Sequence, residues 1–362
     1  MSTDVLSGAW TWSMELVSAL AQRDVVVDVA VLGPGLRAEH VDEAGGRGVC
    51  SLHPVAGALE WMPEPWADVD RAGHALLALV EDLEPDVVHL GGYAHAALPW
   101  SVPVLVGPQS CPLAWRRAVR GGATPRSWDA YRARAAAGLA AADAVVAPTA
   151  AMLLDLHREY GLDRPGTVIP PGRSADWVAP REKVPLVLAA GPVWDATTNL
   201  MVLAEAAADL PWPVVIAGDQ VGPDGVSVAT SAPPNIALPG PLIFGALGEL
   251  LARASIFAAP ALYEPFGRGP VEAAQAGCAL LLSDLPSLRE VWGDAAWFVD
   301  PRDPAAIRAA LHALVCDDAL REDLGARARH RAARYTPERM ASTYLYLYRE
   351  LTARQRVSAG AA

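Results

Sequence analysis

Short runs of β-branched residues bounded by turn residues alternate along the chain with longer stretches in which apolar residues recur at helical spacing. This alternation is typical of parallel strands joined by crossover helices. In the first half it predicts strands at residues 25–32, 86–90, 103–107, 144–147 and 167–169, and helices at 10–23, 70–83, 128–141 and 149–160. In the second half it predicts strands at 185–190, 213–217, 235–238, 255–259, 279–283 and 296–299, and helices at 198–209, 246–254, 269–276, 287–291 and 304–316.

The alternation breaks at Pro170-Pro171-Gly172 and in the polar stretch that follows, which contains Pro180 and Pro185. We therefore predict two Rossmann-like, doubly wound α/β domains at residues 1–172 and 184–336, joined by a hinge at 173–183. A final helix over 337–362 carries apolar residues at helical spacing and is expected to pack back on the first domain.

The first strand of such a domain usually has about five residues before its glycine loop. Here the loop at residues 4–8 begins almost at Met1. The sequence therefore predicts either an unusually short first strand or a start assigned too late.

Composition narrows the class of protein. The chain has 362 residues, of which 52% are hydrophobic, enough for two cores and against disorder. Its formal net charge of −12 argues against nucleic acid as a partner. The four cysteines form no CxxC pair, which favours a reduced, cytoplasmic compartment over a disulfide scaffold or zinc site. The most apolar stretch, 135–154, is interrupted by Asp143 and Pro148, so no transmembrane segment is expected.

The most informative stretch is the predicted strand, glycine-rich turn and helix of residues 258–278. The backbone N–H groups and the positive end of the helix dipole at its start favour a negatively charged oxygen. Glu264 lies on the turn and Glu272 eight residues later on the helix, so both could reach one extended polar ligand. The alternative is that Glu264 caps the turn and Glu272 is solvated.

The Glu264-Pro-Phe-Gly267 turn, the spacing from Glu264 to Glu272, Gly277 and the run 283–291 resemble the retaining glycosyltransferases of family 4. Residues 3–8, 168–172 and 213–219 resemble further segments of that family, so the resemblance covers nearly the whole chain. It implies the GT-B fold, in which two Rossmann-like domains face each other across a cleft. The donor implied is a nucleoside-diphosphate sugar and the acceptor a small molecule or glycan. The family is described as independent of metals, so no metal or other cofactor is expected.

The resemblance also implies roles for individual residues. Glu272 would accept hydrogen bonds from the ribose hydroxyls, and Glu264 would hold hydroxyls of the donor sugar. The backbone N–H groups of the turn and helix start would meet the sugar and phosphates, and a glycine in the first loop would let the backbone approach the diphosphate. The residues concerned are Phe266, Gly267, Arg268 and Gly269 in the turn and helix start, and Gly8 in the first loop.

The sequence departs from the family at three positions. Pro192 and Thr198 stand where the family places an arginine and a lysine that clamp the diphosphate, and Gln109 stands where it has a histidine. Glutamine can hydrogen-bond a sugar but cannot take up a proton at neutral pH.

Any replacement for the missing clamp charges must be an arginine, because the only lysine, Lys183, lies in the predicted hinge. We expect Arg268 to supply the charge, with Arg173 as the second candidate. Thr198 is still expected at the diphosphate, only because it stands at the position of the family's clamp residue.

Other polar residues have two interpretations each. Asp68 and Asp70 match a DxD metal motif but suit a solvated cap before a helix. His89 and His95 either line the acceptor side or are structural. An arginine cluster accompanied by Asp129 either meets an anionic acceptor or membrane surface or is solvated, and nearby tryptophans either stack on an acceptor or fill the core. The cluster comprises Arg116, Arg117, Arg120, Arg126, Arg132 and Arg134, and the tryptophans are Trp100, Trp115 and Trp128.

The sequence thus predicts a retaining, metal-independent glycosyltransferase that uses a nucleoside-diphosphate sugar. The altered positions leave two alternatives open. One is an unusual acceptor such as a thiol, which asks less of a base. The other is a relative without catalytic activity that binds a nucleotide or sugar, or a partner protein.

Overall fold

The computed structural model describes residues 1–176, 181–222, 225–228 and 232–360. Contacts divide the chain into two compact units. Unit 1 comprises Met1–Arg117, Gly122–Gly172 and Thr336–Ala362, and unit 2 comprises Ala118–Gly121 and Arg173–Tyr335. Of the predicted hinge, residues 177–180 lie outside the described residues.

Unit 1 contains seven parallel strands among its described residues. They are β1 (Ser2–Thr3), β2 (Asp28–Leu32), β3 (Ser51–Val55), β4 (Val88–Leu90), β5 (Val104–Val106), β6 (Ala144–Ala147) and β7 (Thr167–Val168). They pair in the orders β1-β2-β3 and β4-β5-β6-β7. The N–H of Gly91, just after β4, donates to Ser2 Oγ in β1 over 3.1 Å, which brings the two sheets together.

The helices of unit 1 flank these sheets. They are α1 (Ala9–Ala21), α2 (Ala38–Gly46), α3 (Trp66–Leu83), α4 (Pro112–Arg120), α5 (Asp129–Ala141), α6 (Ala150–Tyr160) and the last helix of the chain, α13 (Pro337–Gly360), with 3₁₀ turns at Ala94–Ala97 and Arg126–Trp128. Thr149 caps α6 as a side-chain acceptor for the N–H of Met152, 3.1 Å away. The apolar face of α13 packs on α1, where Met340 and Tyr344 join Trp12 in one buried cluster.

Unit 2 contains one six-stranded parallel sheet in the order β10-β9-β8-β11-β12-β13. Its strands are β8 (Val184–Ala190), β9 (Val214–Ala217), β10 (Ile236–Gly240), β11 (Ala254–Ala259), β12 (Ala279–Ser283) and β13 (Trp297–Val299). The strand order reverses between β8 and β11. Open parallel sheets bind ligands beyond the carboxyl ends of their strands at such a reversal.

Helices cover both faces of this sheet. They are α7 (Leu200–Ala206), α8 (Phe244–Arg253), α9 (Arg268–Gln275), α10 (Pro286–Trp292), α11 (Pro304–Cys316) and α12 (Asp318–Ala332). Two buried clusters follow, one with Leu203, Ile256 and Leu311 and the other with Phe257, Leu280 and Trp292. The parallel sheets with crossover helices confirm the predicted α/β class.

Apart from the short excursion at residues 118–121, the chain passes from unit 1 to unit 2 at residues 172–173 and returns at 335–336. The N–H of Arg173 donates to the carbonyl of Tyr335 over 3.0 Å. A Cβ on Gly172 would collide with the backbone of Thr336, so the glycine permits this close approach. The two passages of the chain therefore lie side by side.

Four elements were absent from the sequence prediction: β3, α2, α4 and α12. Strand β1, of two residues, is the short first strand that the sequence predicted as one alternative. Strand β3 contains Pro54 and is mostly half-exposed, so it shows no apolar run. Helix α12 buries small residues such as Gly325 and Ala328 beneath many charges, which leaves little apolar periodicity. Helix α3 begins at Trp66, so Asp68 and Asp70 lie on its first turns and the prediction of a loop there is wrong.

Among the described residues, none of the helices combines the length and apolar composition needed to cross a membrane. All four cysteines are free thiols, with Cys111 and Cys278 buried.

Candidate active site

The turn after β11 is shaped by a glycine that no other residue replaces easily. Gly267 precedes α9 with a φ of 95°, in the region that favours glycine. A Cβ there would also lie 3.1 Å from Leu288 Cδ2. Helix α9 begins at Arg268, one residue before the prediction, and Pro270 lies in its first turn, where a proline costs no hydrogen bond.

Glu264 closes this turn with its own carboxylate. Its Oε1 accepts from the N–H groups of Phe266, at 3.2 Å, and Gly267, at 2.8 Å. Two of the N–H groups expected to meet a ligand are therefore engaged within the loop. Burial raises the pKa of Glu264, although these two N–H groups and the charge of Arg268 act against the shift.

Two serines from the next strand and helix hold the same turn. Ser283 Oγ donates to the carbonyl of Ala261 over 2.6 Å, and the Ser287 hydroxyl donates to the carbonyl of Glu264. Phe266 is buried with its ring edge-to-face against Tyr335, 5.2 Å between centroids. Sequence reasoning gave neither serine a role, although both lie in the run 283–291 that carries the family resemblance.

Glu272 is buried and paired with Arg173. Arg173 Nε donates to Glu272 Oε1 over 2.8 Å, with side chains only 5% and 11% exposed, respectively. One turn further along α9, Gln275 Nε2 donates to the carbonyl of Arg173 over 2.8 Å. The alternative in which Glu272 is a solvated helix residue is therefore wrong. The charge of Arg173, the second candidate for the diphosphate, is balanced by Glu272.

The loop after β8 carries the two altered clamp positions. Pro192 is exposed, and Thr198 Oγ1 lies 2.9 Å from the Pro192 carbonyl and 2.8 Å from that of Asp195, so this hydroxyl closes its own loop. Asn199 Nδ2 donates to the carbonyls of Pro260, at 3.0 Å, and Pro301, at 2.7 Å. These bonds join the loop to the carboxyl ends of β11 and β13.

A second glycine fixes the position of this loop. A Cβ on Gly218, after β9, would lie closer to the Gly191 carbonyl oxygen than real Cβ contacts allow. The N–H of Gly191 in turn donates to the carbonyl of Ala217 over 2.9 Å. The loops after β8 and β9 therefore pack backbone against backbone, which only glycine permits.

Arg268 lies at the carboxyl edge of the sheet, near the turn, whereas Lys183 does not. Arg268, the first residue of α9, is exposed, and its charge acts against the burial that raises the pKa of Glu264. Lys183 directly precedes β8, at the opposite edge of the sheet. There it donates to the carbonyl of Leu251 over 3.1 Å and lies 3.5 Å from Cys278 Sγ, so it is held away from the turn.

In unit 1, the first glycine loop is closed by an aspartate. Asp4 Oδ1 accepts from the N–H groups of Leu6, at 2.9 Å, and Ser7, at 2.7 Å. Gly8 precedes α1 with φ −64° and ψ −4°, a conformation open to any residue. Its backbone geometry alone does not require glycine.

Gln109 and the two histidines occupy different surroundings. Gln109, after β5, is half-buried and donates from Nε2 to the carbonyl of Gly107 over 3.1 Å. His89 is buried, its Nδ1 lies 2.7 Å from the Tyr348 hydroxyl, and burial lowers its pKa to about 3. His95 Nε2 lies 2.9 Å from the carbonyl of Val69. The structural interpretation of both histidines is supported.

Sequence reasoning missed Glu60. This half-buried carboxylate accepts from the N–H groups of Tyr93, at 3.0 and 3.2 Å, and Ala94, at 2.8 Å, just beyond the carboxyl end of β4. Burial raises its pKa, and the N–H groups act against that shift. The glycines at 91–92 gave a weak signal for a tight loop there, but nothing in the sequence linked it to a residue some thirty positions earlier.

Two arginines of the cluster, Arg117 and Arg134, pair with acids from other helices. Arg117 pairs with Asp155, at 2.7 Å, and with Glu159. Arg134 pairs with Asp70 at 2.6 Å, which lowers the pKa of that carboxyl. Asp129, the acid within the cluster's own stretch of sequence, lies 3.8 Å from Arg132.

Asp68, the other aspartate of the DxD segment, bonds with neighbouring residues. It accepts from the N–H of Ala58 over 2.7 Å and pairs with Arg71. Within the described part of the chain, no three His, Cys, Asp or Glu side chains form a group that could hold a metal.

A cavity of about 670 Å³ in unit 1 lies away from the glycine loops. Its lining includes Asp28, Val88 and Leu345, near the amino ends of β2 and β4. Parallel sheets bind ligands at the carboxyl ends of their strands, so we do not place the candidate site in this cavity.

The strand, turn and helix around Glu264 lie at the carboxyl edge of a parallel sheet, where such sheets bind ligands, and two family models match the chain. Residues 6–177 match the model described as Glycosyltransferase Family 4, and residues 181–331 match Glycosyl transferases group 1. The protein belongs to the family 4 glycosyltransferases.

A curated relative matches part of the chain. The D-inositol 3-phosphate glycosyltransferase of Xylanimonas cellulosilytica is 30% identical over 247 residues, which cover 60% of this chain and 59% of that protein. The chain spans less than two thirds of the length of the curated relatives it matches.

Solved structures match along nearly the whole chain. Sucrose-phosphate synthase from Thermosynechococcus elongatus is similar with a TM-score of 0.77 and 19% identity, over 96% of this chain and 94% of that one. Anabaena HepE in complex with UDP-glucose has a TM-score of 0.73 and 13% identity, over 97% and 98% of the two chains. These likenesses confirm the GT-B fold that the sequence predicted.

Proposed function

We propose that this protein transfers a glycosyl group from a nucleoside-diphosphate sugar to an acceptor, with retention of anomeric configuration and without a metal ion. One observation carries the proposal: Glu264 and Glu272 lie on one turn and helix at the carboxyl edge of the sheet, beside the reversal of strand order. Membership of the glycosyltransferase family supports it, as does UDP-glucose bound to HepE, a protein of the same fold.

The chemistry of each group suits one part of such a donor. Glu272 is a charged acceptor for the vicinal hydroxyls of ribose. The positive end of the helix dipole at the start of α9 favours a phosphate. Glu264 would accept from hydroxyls of the sugar while it holds the turn through Phe266 and Gly267.

Arg268 is the better candidate for the missing clamp charge. Arg173 is paired with Glu272, so the two charges cancel near the nucleotide. Arg268 is exposed at the start of α9, where a developing negative charge on the diphosphate would be stabilised. Thr198 would contribute at most a hydroxyl, and the contact of Gly8 with the diphosphate is carried over from the family resemblance alone.

A front-face route fits these side chains. The bond from the sugar C1 to the diphosphate oxygen breaks, the acceptor oxygen bonds to C1 on the same face, and the leaving phosphate takes the acceptor proton. No side-chain nucleophile is needed. Gln109 would hydrogen-bond the sugar without taking a proton. A thiol acceptor is the second acceptor class to test, because its thiolate already is the nucleophile.

The test is incubation of the full chain with UDP-, GDP- and ADP-sugars, hydroxyl and thiol acceptors, and EDTA in half of the samples. Mass spectrometry is expected to show transfer or donor hydrolysis in both halves, and NMR the retained anomer. Glu272→Gln is expected to lose this activity, while Glu322→Gln, an exposed glutamate on α12, keeps it. Nucleotide binding without turnover across the panel would instead favour a protein that only binds.

A further inference from the structure

We propose that Arg173 is a positioning residue that orients the carboxylate of Glu272 for the ribose of the donor nucleotide. The inference rests on the proposed function, because it assigns a task to the site described there. The two residues are 99 positions apart in sequence, yet Nε and Oε1 lie 2.8 Å apart.

The side chain and the backbone carbonyl of Arg173 both form hydrogen bonds with helix α9. Its side chain bonds Glu272, and its carbonyl accepts from Gln275, three residues further along α9. Its N–H is fixed by the carbonyl of Tyr335 at 3.0 Å. Because the backbone of Arg173 is held at two points and its side chain is only 5% exposed, the guanidinium has a fixed position from which it orients the carboxylate.

Because Glu272 is buried, its charge depends on the pairing with Arg173. A carboxylate only 11% exposed needs a compensating charge, and Arg173 supplies it. A carboxylate offers about four acceptor positions, and the Arg173 Nε–H occupies one of them. The remaining lone pairs can therefore accept from ribose hydroxyls while the arginine keeps the plane of the carboxylate fixed.

The experiment compares the binding of UDP, GDP and ADP with that of their 2′-deoxy forms by calorimetry on the full chain. The wild type is expected to bind the ribose form of its nucleotide roughly tenfold more tightly, because a hydroxyl bond to a charged acceptor is lost in the deoxy form. Arg173→Gln is expected to bring this ratio close to one. Arg253→Gln, an exposed arginine on α8, is the matched control and is expected to keep it.

The ratio of ribose to 2′-deoxy affinity separates a positioning role from a merely structural one. Loss of a merely structural residue would weaken the binding of both nucleotide forms equally. Glu272→Gln alone should abolish the preference, and adding Arg173→Gln to it should change the ratio no further. Arg173→Lys is tested in parallel, since it keeps the compensating charge without the Nε geometry. It should also lower the ratio, and it decides the question alone if the Gln variant does not fold.

The outcomes distinguish the two proposals. A ribose preference that survives in both Arg173 variants overturns the positioning role and leaves the proposed function intact. Failure of the wild type to bind any of the three nucleotides overturns the proposed function, and this inference with it. A wild type that binds but does not prefer ribose overturns the inference alone.

Discussion

Each unit uses a partly buried glutamate to hold two backbone N–H groups at the carboxyl end of a parallel strand. In unit 2, Glu264 holds Phe266 and Gly267 after β11, and in unit 1, Glu60 holds Tyr93 and Ala94 after β4. Burial raises the pKa of both carboxyls. The local chemistry of the two loops is therefore nearly the same.

The difference lies in where the carboxylate comes from. Glu264 belongs to the loop it closes, so loop and carboxylate move together, and the serines of β12 and α10 fix them to the sheet. Glu60 reaches its loop from the segment between β3 and α3. The first arrangement presents a side chain on the loop itself to a ligand, whereas the second joins two segments of the fold.

The largest effects are expected from the glycines beneath each loop. Gly218→Ala forces a Cβ into the Gly191 carbonyl, and Gly138→Ala forces one into the carbonyl of Tyr93, beside the Glu60 loop. Since backbone must move in both cases, each variant should lose about 3 kcal/mol or more of unfolding free energy. Urea unfolding measures this, with Gly245→Ala, where a Cβ meets no neighbour, as the control. Near wild-type stability of either variant would contradict the close packing.

The second-largest effect, on the rate of transfer, should distinguish Glu264 from Glu60. Glu264→Gln should lower transfer by about a hundredfold, because it removes a charged acceptor from the proposed sugar contact. Glu60→Gln should lower it less than about tenfold, because the amide oxygen still accepts the loop N–H groups. Initial rates with the donor found in the panel decide the matter. Equal losses of transfer rate in the two variants would contradict this difference and show that Glu60 matters for transfer as much as Glu264.

A smaller effect is expected from the serine that holds the Glu264 turn. Ser287→Ala removes one hydroxyl bond to the Glu264 carbonyl and should cost about 1 kcal/mol of stability, with a matching fall in donor affinity. Thermal unfolding and donor KM measure both. Ser342→Ala, whose hydroxyl donates to the Glu338 carbonyl over 2.7 Å and accepts from Arg23 at 3.4 Å, lies in unit 1 and should leave donor KM unchanged. A Ser287→Ala enzyme with unchanged donor KM would show that the turn needs no such support.

The smallest effect is a pH dependence shared by both glutamates. Because their pKa values are raised in the folded state, the protonated acid is favoured there, and the associated stability is lost as pH rises through the raised pKa. Glu264→Gln should therefore gain stability relative to the wild type between about pH 4 and about pH 7. Urea unfolding at both pH values checks the sign, and a relative loss would contradict it.

The sequence predicted most of the fold because strands and helices with apolar periodicity signal themselves locally. It also located the Glu264 turn, since that carboxylate bonds N–H groups two and three residues away. Glu60, Ser283 and the pairing of Arg173 with Glu272 depend on contacts between distant segments, which no local pattern encodes. Helix α12 escaped prediction because small buried residues under many charges leave no apolar stripe. The roles of Gly8, Thr198 and Gln109 stay predictions.

The side-by-side passages of the chain at Arg173 and Tyr335 have a consequence for biosynthesis. Apart from residues 118–121, unit 2 is one uninterrupted stretch whose two ends meet, so every part needed for its sheet has left the ribosome before α13 is made. Unit 1 must wait for α13, which supplies Met340 and Tyr344 to the cluster on α1. All core residues of unit 2 are thus synthesised before those of unit 1 are complete, although most of unit 1 is encoded first.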